Sequence, residues 1–320
     1  MTGAHGWNRR RSWLPAAACL AVLVALGACA TPQGSEPGTS PSGSGAAPSS
    51  ATASPPPERG ITVVDSELTA SERLTSESEG QVIELLEIRG GIRIVHDNVT
   101  VRNVRILHES ARQGEYAVLI AHKDDGQCPA SVVVENIEVI GDREVLAPGT
   151  KAVYGRCPFT LRSSIVHHAA SGVRITDNTT IENNDILADH WVAGDDAHRS
   201  GIGLNGGAHN VIRGNTIVCE GEGCSAALSM YGDFAQVDDV LVEGNTLATN
   251  GSYCVYGGSL TSKPYPVAQD VRIINNTFSR QFFPTCGRYG PVAGVTSGGG
   301  PGFMWEGNTW DDTGGEVALQ

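Results

Sequence analysis

Four things are missing from this 320-residue chain, and each absence narrows what it does. None of its eight cysteines forms a C-x-x-C pair, the spacing that most often holds zinc. No basic stripe runs along it. Without Arg9, Arg10 and Arg11 the chain carries 19 basic against 35 acidic residues, a net of −16. Too few cations remain to displace counterions from phosphates, so nucleic acid is not expected as a partner. No helical period, no leucine-rich L-x-x-L-x-L frame and no four-strand blade repeat is present. Finally, no apolar run is long enough to make a good membrane-spanning helix; the best is Leu14 to Leu26.

That apolar run follows the three arginines and precedes Leu26-Gly27-Ala28-Cys29, so residues 1–28 read as an export signal. The quartet resembles a bacterial lipobox, which implies cleavage before Cys29, acylation of its thiol, and contact with the membrane only through that lipid. Arg10-Arg11-Ser12-Trp13-Leu14 is loosely similar to a twin-arginine signal. Residues 29–59 are almost all Ser, Pro, Gly, Ala and Thr, too poor in large apolar groups to offset the entropy of folding, and read as a tether. Residues 60–320 are long enough to bury a large core and form the expected domain. The protein is therefore expected outside the cell, either on the outer face of the membrane or released, and as a monomer.

What is present is a repeat. Ile181 to Ile186, Ile212 to Ile217, Val242 to Leu247, Ile273 to Phe278 and Trp305 to Trp310 share one phrase: apolar, any, Asn or Gly, Asn, Thr or Asp, apolar. The shared Asn184, Asn215, Asn245, Asn276 and Asn308 are spaced by 31, 30, 31 and 32 residues. An equivalent position steps earlier through Asn103, Asn136, Ser163 and Asn183, at intervals of 33, 27 and 20, so surplus residues form loops outside a coil of nearly constant core. Within a coil, Gly91 to Asn103 and Gly172 to Asn184 both read strand, Asp-Asn corner, strand. Alternation then predicts Ile92, Ile94, Val173, Ile175, Ile202 and Leu204 inside. The asparagines are expected to stack and to bond each other along the axis rather than to catalyse. The fold class is thus an all-β, single-domain parallel solenoid.

Six cysteines follow Cys29, an even number that in an exported chain reads as disulfides. Fifteen pairings are possible. The repeat favours Cys128 with Cys157 and Cys254 with Cys286, each about one coil apart, because stacked strands lie at the Cα separation a disulfide needs. Cys219 and Cys224 would close a small loop.

The strand-rich opening at Glu67-Leu68-Thr69-Ala70, the coil phrases and the closing Gly307-Asn308-Thr309-Trp310-Asp311-Asp312-Thr313-Gly314 resemble the right-handed parallel β-helix proteins of the pectate-lyase-like group. Exported actinobacterial members are the nearest in kind. The resemblance covers about residues 61–317 and implies a carbohydrate partner, in particular a polysaccharide. Where relatives show His-x-Asp-Gly-Ile-Gln, this chain has His198-Arg199-Ser200-Gly201-Ile202-Gly203, so Ser200 and Gly203 replace the family Asp and Gln. Gly194-Asp195-Asp196 is similar to the doubled Asp of polygalacturonase-like members.

The polar loop from Asp189 to Gly203 is expected to lead into an exposed strand one coil above His167, His168 and Arg174. Asp195, Asp196, His198, His167 and Arg174 are the catalytic candidates. As a lyase, Asp195 and Asp196 would hold Ca²⁺ against a uronate while Arg174, His198 or Lys151 took the C5 proton. As a hydrolase, two carboxylates would act as acid and base. Tyr154, Tyr231 and Tyr256, with Arg199, are candidates for substrate binding, since tyrosines on an outer face stack on sugar rings; Tyr289 falls at a similar place. Trp305 and Trp310 read as a terminal cap. The alternative to an enzyme is a non-catalytic carbohydrate-binding, adhesive or structural surface protein.

Overall fold

Val118, Val153, Val173, Ile202, Leu228, Val255 and Val292 are seven successive members of one inward column, each opposite the next across neighbouring strands. All are at most 5% exposed. Each such aliphatic side chain contributes roughly 1.5–3 kcal/mol by leaving water, so the column is a main source of cohesion. The computed structural model describes residues 63–192 and 198–319, and these residues wind into a parallel β-helix. A nine-stranded sheet, from Leu74–Thr75 to Gly290–Val295, forms one face; a 16-stranded sheet forms the rest. Ile92, Ile94, Val173, Ile175, Ile202 and Leu204 are all buried in the shared core. Among the described residues no helix is long and apolar enough to cross a membrane.

The larger sheet changes character along the chain. Val82–Arg89, Thr100–His108 and Val133–Gly141 are long single strands, whereas later coils split into pairs such as Gly207–Arg213 and Thr216–Cys219. The split falls where a corner takes a left-handed residue: φ is +50° at Ser163 and +56° at Asn183, and Gly214 and Gly244 take the same place later, whereas Asn103 at +51° holds it within an unbroken strand. Asn and Gly tolerate that conformation best, which explains the third letter of the repeat phrase.

The next letter is the asparagine ladder. The Asn215 side-chain oxygen accepts from both the backbone and the side-chain N–H of Asn184, each at 2.9 Å. Asn245 receives Asn215, Asn276 receives Asn245, and Asn308 receives Asn276 in the same way. Every amide also donates to a core-side carbonyl, such as Asn245 to Ile212. These side chains are at most 1% exposed, so the ladder satisfies polar groups that would otherwise be costly. Their role is structural.

An outward column of the larger sheet carries a second ladder. Glu84, Arg102, Glu135, Arg162, Glu182, Arg213 and Glu243 alternate in sign, one per strand. Arg102 pairs with Glu84 at 2.7 Å, Arg162 with Glu135 at 2.5 Å, and Arg213 with Glu182 at 2.8 Å.

Disulfides join Cys128 to Cys157, Cys219 to Cys224 and Cys254 to Cys286, with Cα atoms 5.3, 5.9 and 5.5 Å apart. This is the pairing that the coil period favours, and three such bonds fit an oxidising compartment. At the C-terminal end Trp305 and Trp310 pack on Phe278, and the Trp305 indole donates to the Val317 carbonyl at 2.7 Å.

Candidate functional site

Alternation puts one residue of every second position outside the nine-stranded sheet, and parallel stacking lines these residues up. Tyr154, Arg174, Gly203, Ser229 and Tyr256 are successive members of one outward column, on strands Lys151–Gly155, Ser171–Ile175, Arg199–Leu204, Cys224–Met230 and Tyr253–Ser259. The centre of the column is hollow because Gly203 has no side chain. The Arg174 guanidinium lies across it, and a Cβ at that glycine would collide with the guanidinium.

Two cavities lie on this face and share Arg174 and Asn205. One, about 450 Å³, is bordered by His198, Ser229, Tyr231, Asp233, Tyr256 and Lys263. The other, about 320 Å³, is bordered by Lys151, Tyr154, Asp177, Gly203 and Phe234. Both fall in the size range of small-ligand sites, and together they form a continuous lining along the stack.

The first cavity is aromatic at its edge. Tyr231 and Tyr256 have ring centroids 5.1 Å apart, Tyr253 continues the row at 5.5 Å from Tyr256, and Tyr289 lies 5.9 Å beyond. Burial raises the Tyr231 hydroxyl well above its usual range, with the neighbouring Tyr256 adding to the effect, and burial raises Tyr256 as well. Both therefore stay neutral and act as hydrogen-bonding groups. Lys263 sits 4.4 Å from the Tyr231 ring centre and pairs with Asp233 at 2.8 Å.

The second cavity is cationic around Tyr154. Lys151 lies 5.6 Å and Arg156 5.1 Å from its ring centre. Burial lowers the Lys151 ammonium below its usual value, and the charges of Arg174 and Arg156 lower it further. Burial likewise lowers the Arg174 guanidinium, against the opposing influence of Tyr231, Tyr154 and Asp233. Among the described residues, the Arg174 guanidinium has no hydrogen-bond or ion-pair partner. Asp177, the carboxylate bordering this cavity, accepts from the Ala208 amide at 2.9 Å.

Several sequence expectations land elsewhere. Asp195 and Asp196 lie outside the described residues. His167 sits on the larger sheet, its Nε2 3.2 Å from Asp185, and borders neither cavity. His168 is likewise turned to Asp189 and Arg143. The two histidines miss the groove because the chain turns a corner between Ala169 and Ser171 and changes sheet. The strand Arg199–Leu204, expected to be exposed, is buried at every position. Arg199 is 1% exposed and donates to the His190 carbonyl, so it braces the preceding loop instead of standing out toward a ligand.

The calcium ligands expected from the sequence, Asp195 and Asp196, lie outside the described residues. Asp177 and Asp233 are already engaged, and three cations surround Tyr154. Among the described residues, the one close grouping of three metal-ligand types is His122 with Cys128 and Cys157, whose sulfurs are spent in a disulfide. Lys263, Asp233, Phe234, Arg156 and Asn205 were not foreseen. Asp233 and Lys263 carry the signal that would have found them: opposite charges 30 residues apart, one coil.

No family model matches this chain, and no curated protein matches it in sequence. Among solved structures it is similar to the crystal structure of Dettilon tailspike protein, with 14% identity and a TM-score of 0.42. The match covers 76% of this chain and 54% of the tailspike, so this chain spans about half the length of that protein.

Proposed function

We propose that the outer face of the nine-stranded sheet binds a polysaccharide laid along the stack. The observation that carries this reading is the column Tyr154, Arg174, Gly203, Ser229 and Tyr256, with tyrosines at both ends and a hollow centre. Flat aromatic faces receive sugar rings, and the hydroxyls of Ser229, Tyr231 and Tyr256 and the amide of Asn205 receive sugar hydroxyls. An export signal followed by lipid modification of Cys29 would hold this groove outside the cell. Calorimetric titration against a panel of neutral and acidic oligosaccharides tests the reading. Wild type should bind at least one, and Tyr256→Ala should weaken that binding about tenfold. No binding across the panel would leave an adhesive or structural surface protein.

A second reading, that bound glycan is also cleaved, is supported by Lys151. A general base must titrate near working pH, and burial together with Arg174 and Arg156 moves this ammonium in that direction. Asp195 and Asp196 remain candidate partners in that chemistry. Release of unsaturated or reducing-end products, lost in Lys151→Met, would establish cleavage; a stable bound oligosaccharide after prolonged incubation would refute it.

A further inference from the structure

The geometry points to a metal-free oxyanion subsite, formed by Arg174, Lys151 and Arg156 around Tyr154, that selects glycans carrying carboxylate or sulfate groups. This rests on the glycan-binding reading and names the substrate class.

Elsewhere among the described residues of this acidic molecule, most cations find carboxylates, Arg93, Arg112 and Arg288 being scattered exceptions. The ladder arginines do so, and so do Arg73 with Glu115, Arg89 with Glu109, Lys123 with Asp97, Arg272 with Asp239 and Arg280 with Asp312. Around Tyr154 the pattern reverses. Lys151 donates to the Gly149 carbonyl at 3.2 Å, Arg156 lies over the ring, and neither they nor Arg174 has a carboxylate within ion-pair distance among the described residues. Lys151 and Arg174 border one cavity of about 320 Å³.

Clustered like charges in a partly buried site are unfavourable unless something neutralises them. The fold nevertheless makes room for the cluster, because Gly203 opens the space that the Arg174 guanidinium occupies. A guanidinium laid over Gly203, with no carboxylate partner among the described residues, suits a planar carboxylate or the face of a tetrahedral sulfate, which accept paired N–H bonds. Tyr154 at the centre would stack on the ring that bears the anion. Ca²⁺ is not needed in such a site, since the protein supplies the positive charge itself. The net negative charge of the chain therefore does not bar an acidic glycan: the groove is a local cationic exception.

The test is calorimetry in EDTA with a galacturonan oligosaccharide, a sulfated galactan oligosaccharide and their neutral counterparts, together with separate titration of inorganic sulfate. The carboxylate arm and the sulfate arm identify which oxyanion is preferred. Wild type should bind at least one acidic oligosaccharide roughly ten- to a hundredfold more tightly than its neutral partner, and Arg174→Met should erase the difference. Salt should weaken the acidic ligand selectively. Equal affinity for acidic and neutral ligands would overturn the subsite while leaving glycan binding intact. Sulfate bound by wild type but not by Arg174→Met, with no oligosaccharide bound, would keep the subsite and remove the glycan reading. Acidic binding that vanishes in EDTA would overturn the metal-free assignment. Thermal melting of Arg174→Met at or above the wild-type temperature confirms that lost binding is not lost folding. Should Arg174→Met melt lower, Arg156→Gln, which alters an exposed side chain, must reduce acidic affinity for the subsite to stand.

Discussion

Two outward columns of the same solenoid invite comparison. On the larger sheet, Glu84, Arg102, Glu135, Arg162, Glu182 and Arg213 alternate so that charges meet their opposites one coil away. On the nine-stranded sheet, Arg174 lies over Gly203 between Tyr154 and Ser229, and no described carboxylate answers it. Spacing, strand direction and stacking are shared; only the identity of the stacked side chains differs. A coil therefore offers neutral ground, on which complementary neighbours make a scaffold and mismatched neighbours leave valence for something outside. Stability should track the first kind of column and ligand binding the second.

The sharpest way to test that division uses a ladder that is buried and complete. Asn245→Leu removes the acceptor for two Asn215 N–H groups and the donor to Ile212, which leaves buried polar groups unpaired. The expected cost is about 4 kcal/mol, or roughly 10 °C in melting temperature, with groove chemistry unaltered at temperatures where the variant is folded. A melting curve that does not move would break the comparison.

Acid offers a second route. His108 is fully buried at the end of its strand, neither ring nitrogen has a partner among the described residues, and burial holds its pKa down to about 4 from an ordinary 6.5. Arg73 and His190 act on it in the same direction. The unfolded chain takes up this proton first, so stability is fully present above pH 6.5 and is lost as pH falls toward 4. The loss is about 3 kcal/mol. Denaturant titrations across that window should show the slope, and His108→Leu should flatten it. Binding of a sulfated ligand should stay level over the same window, because neither Arg174 nor sulfate titrates there.

Single charges sharpen the contrast further. Arg174→Met should leave stability unchanged or raise it by about 1 kcal/mol, since an unanswered, largely buried cation disappears, while affinity for an acidic glycan falls. Arg162→Met should do the opposite. Its half-exposed pair with Glu135 contributes at most about 1 kcal/mol, so melting drops slightly and affinity holds. If both variants behave alike in either measurement, the two columns are not different in kind.

The sequence disclosed the scaffold because every scaffold residue repeats. Asn184 through Asn308 announce the coil height, Val173 and Ile202 the inward face, and the cysteine spacings the bridged coils. Of the residues named from the sequence, Tyr154, Arg174 and Tyr256 share that period and stack in one column, while Tyr231, Lys151 and His198 border the same cavities from outside it. His167 was placed on the wrong face because a corner at Ala170 rotates the chain by one sheet, and nothing in a string of residues marks that rotation. Arg199 was misjudged for the converse reason, as charge suggested exposure while stacking buried it. Lys263 and Phe234 belong to loops that do not repeat, and a cavity assembled from several loops has no linear signature.

The asparagine ladder has one more consequence, and it concerns ancestry. Each rung asks only that the rung before it present one N–H pair and that the rung after it offer one oxygen, so any rung can follow any other. Duplicating or excising a single complete coil, such as residues 216–245, would leave the ladder unbroken and would lengthen or shorten the stack by about 4.8 Å. Lineages built on this plan can change the length of the stack by copying, well before point substitutions refine its surface.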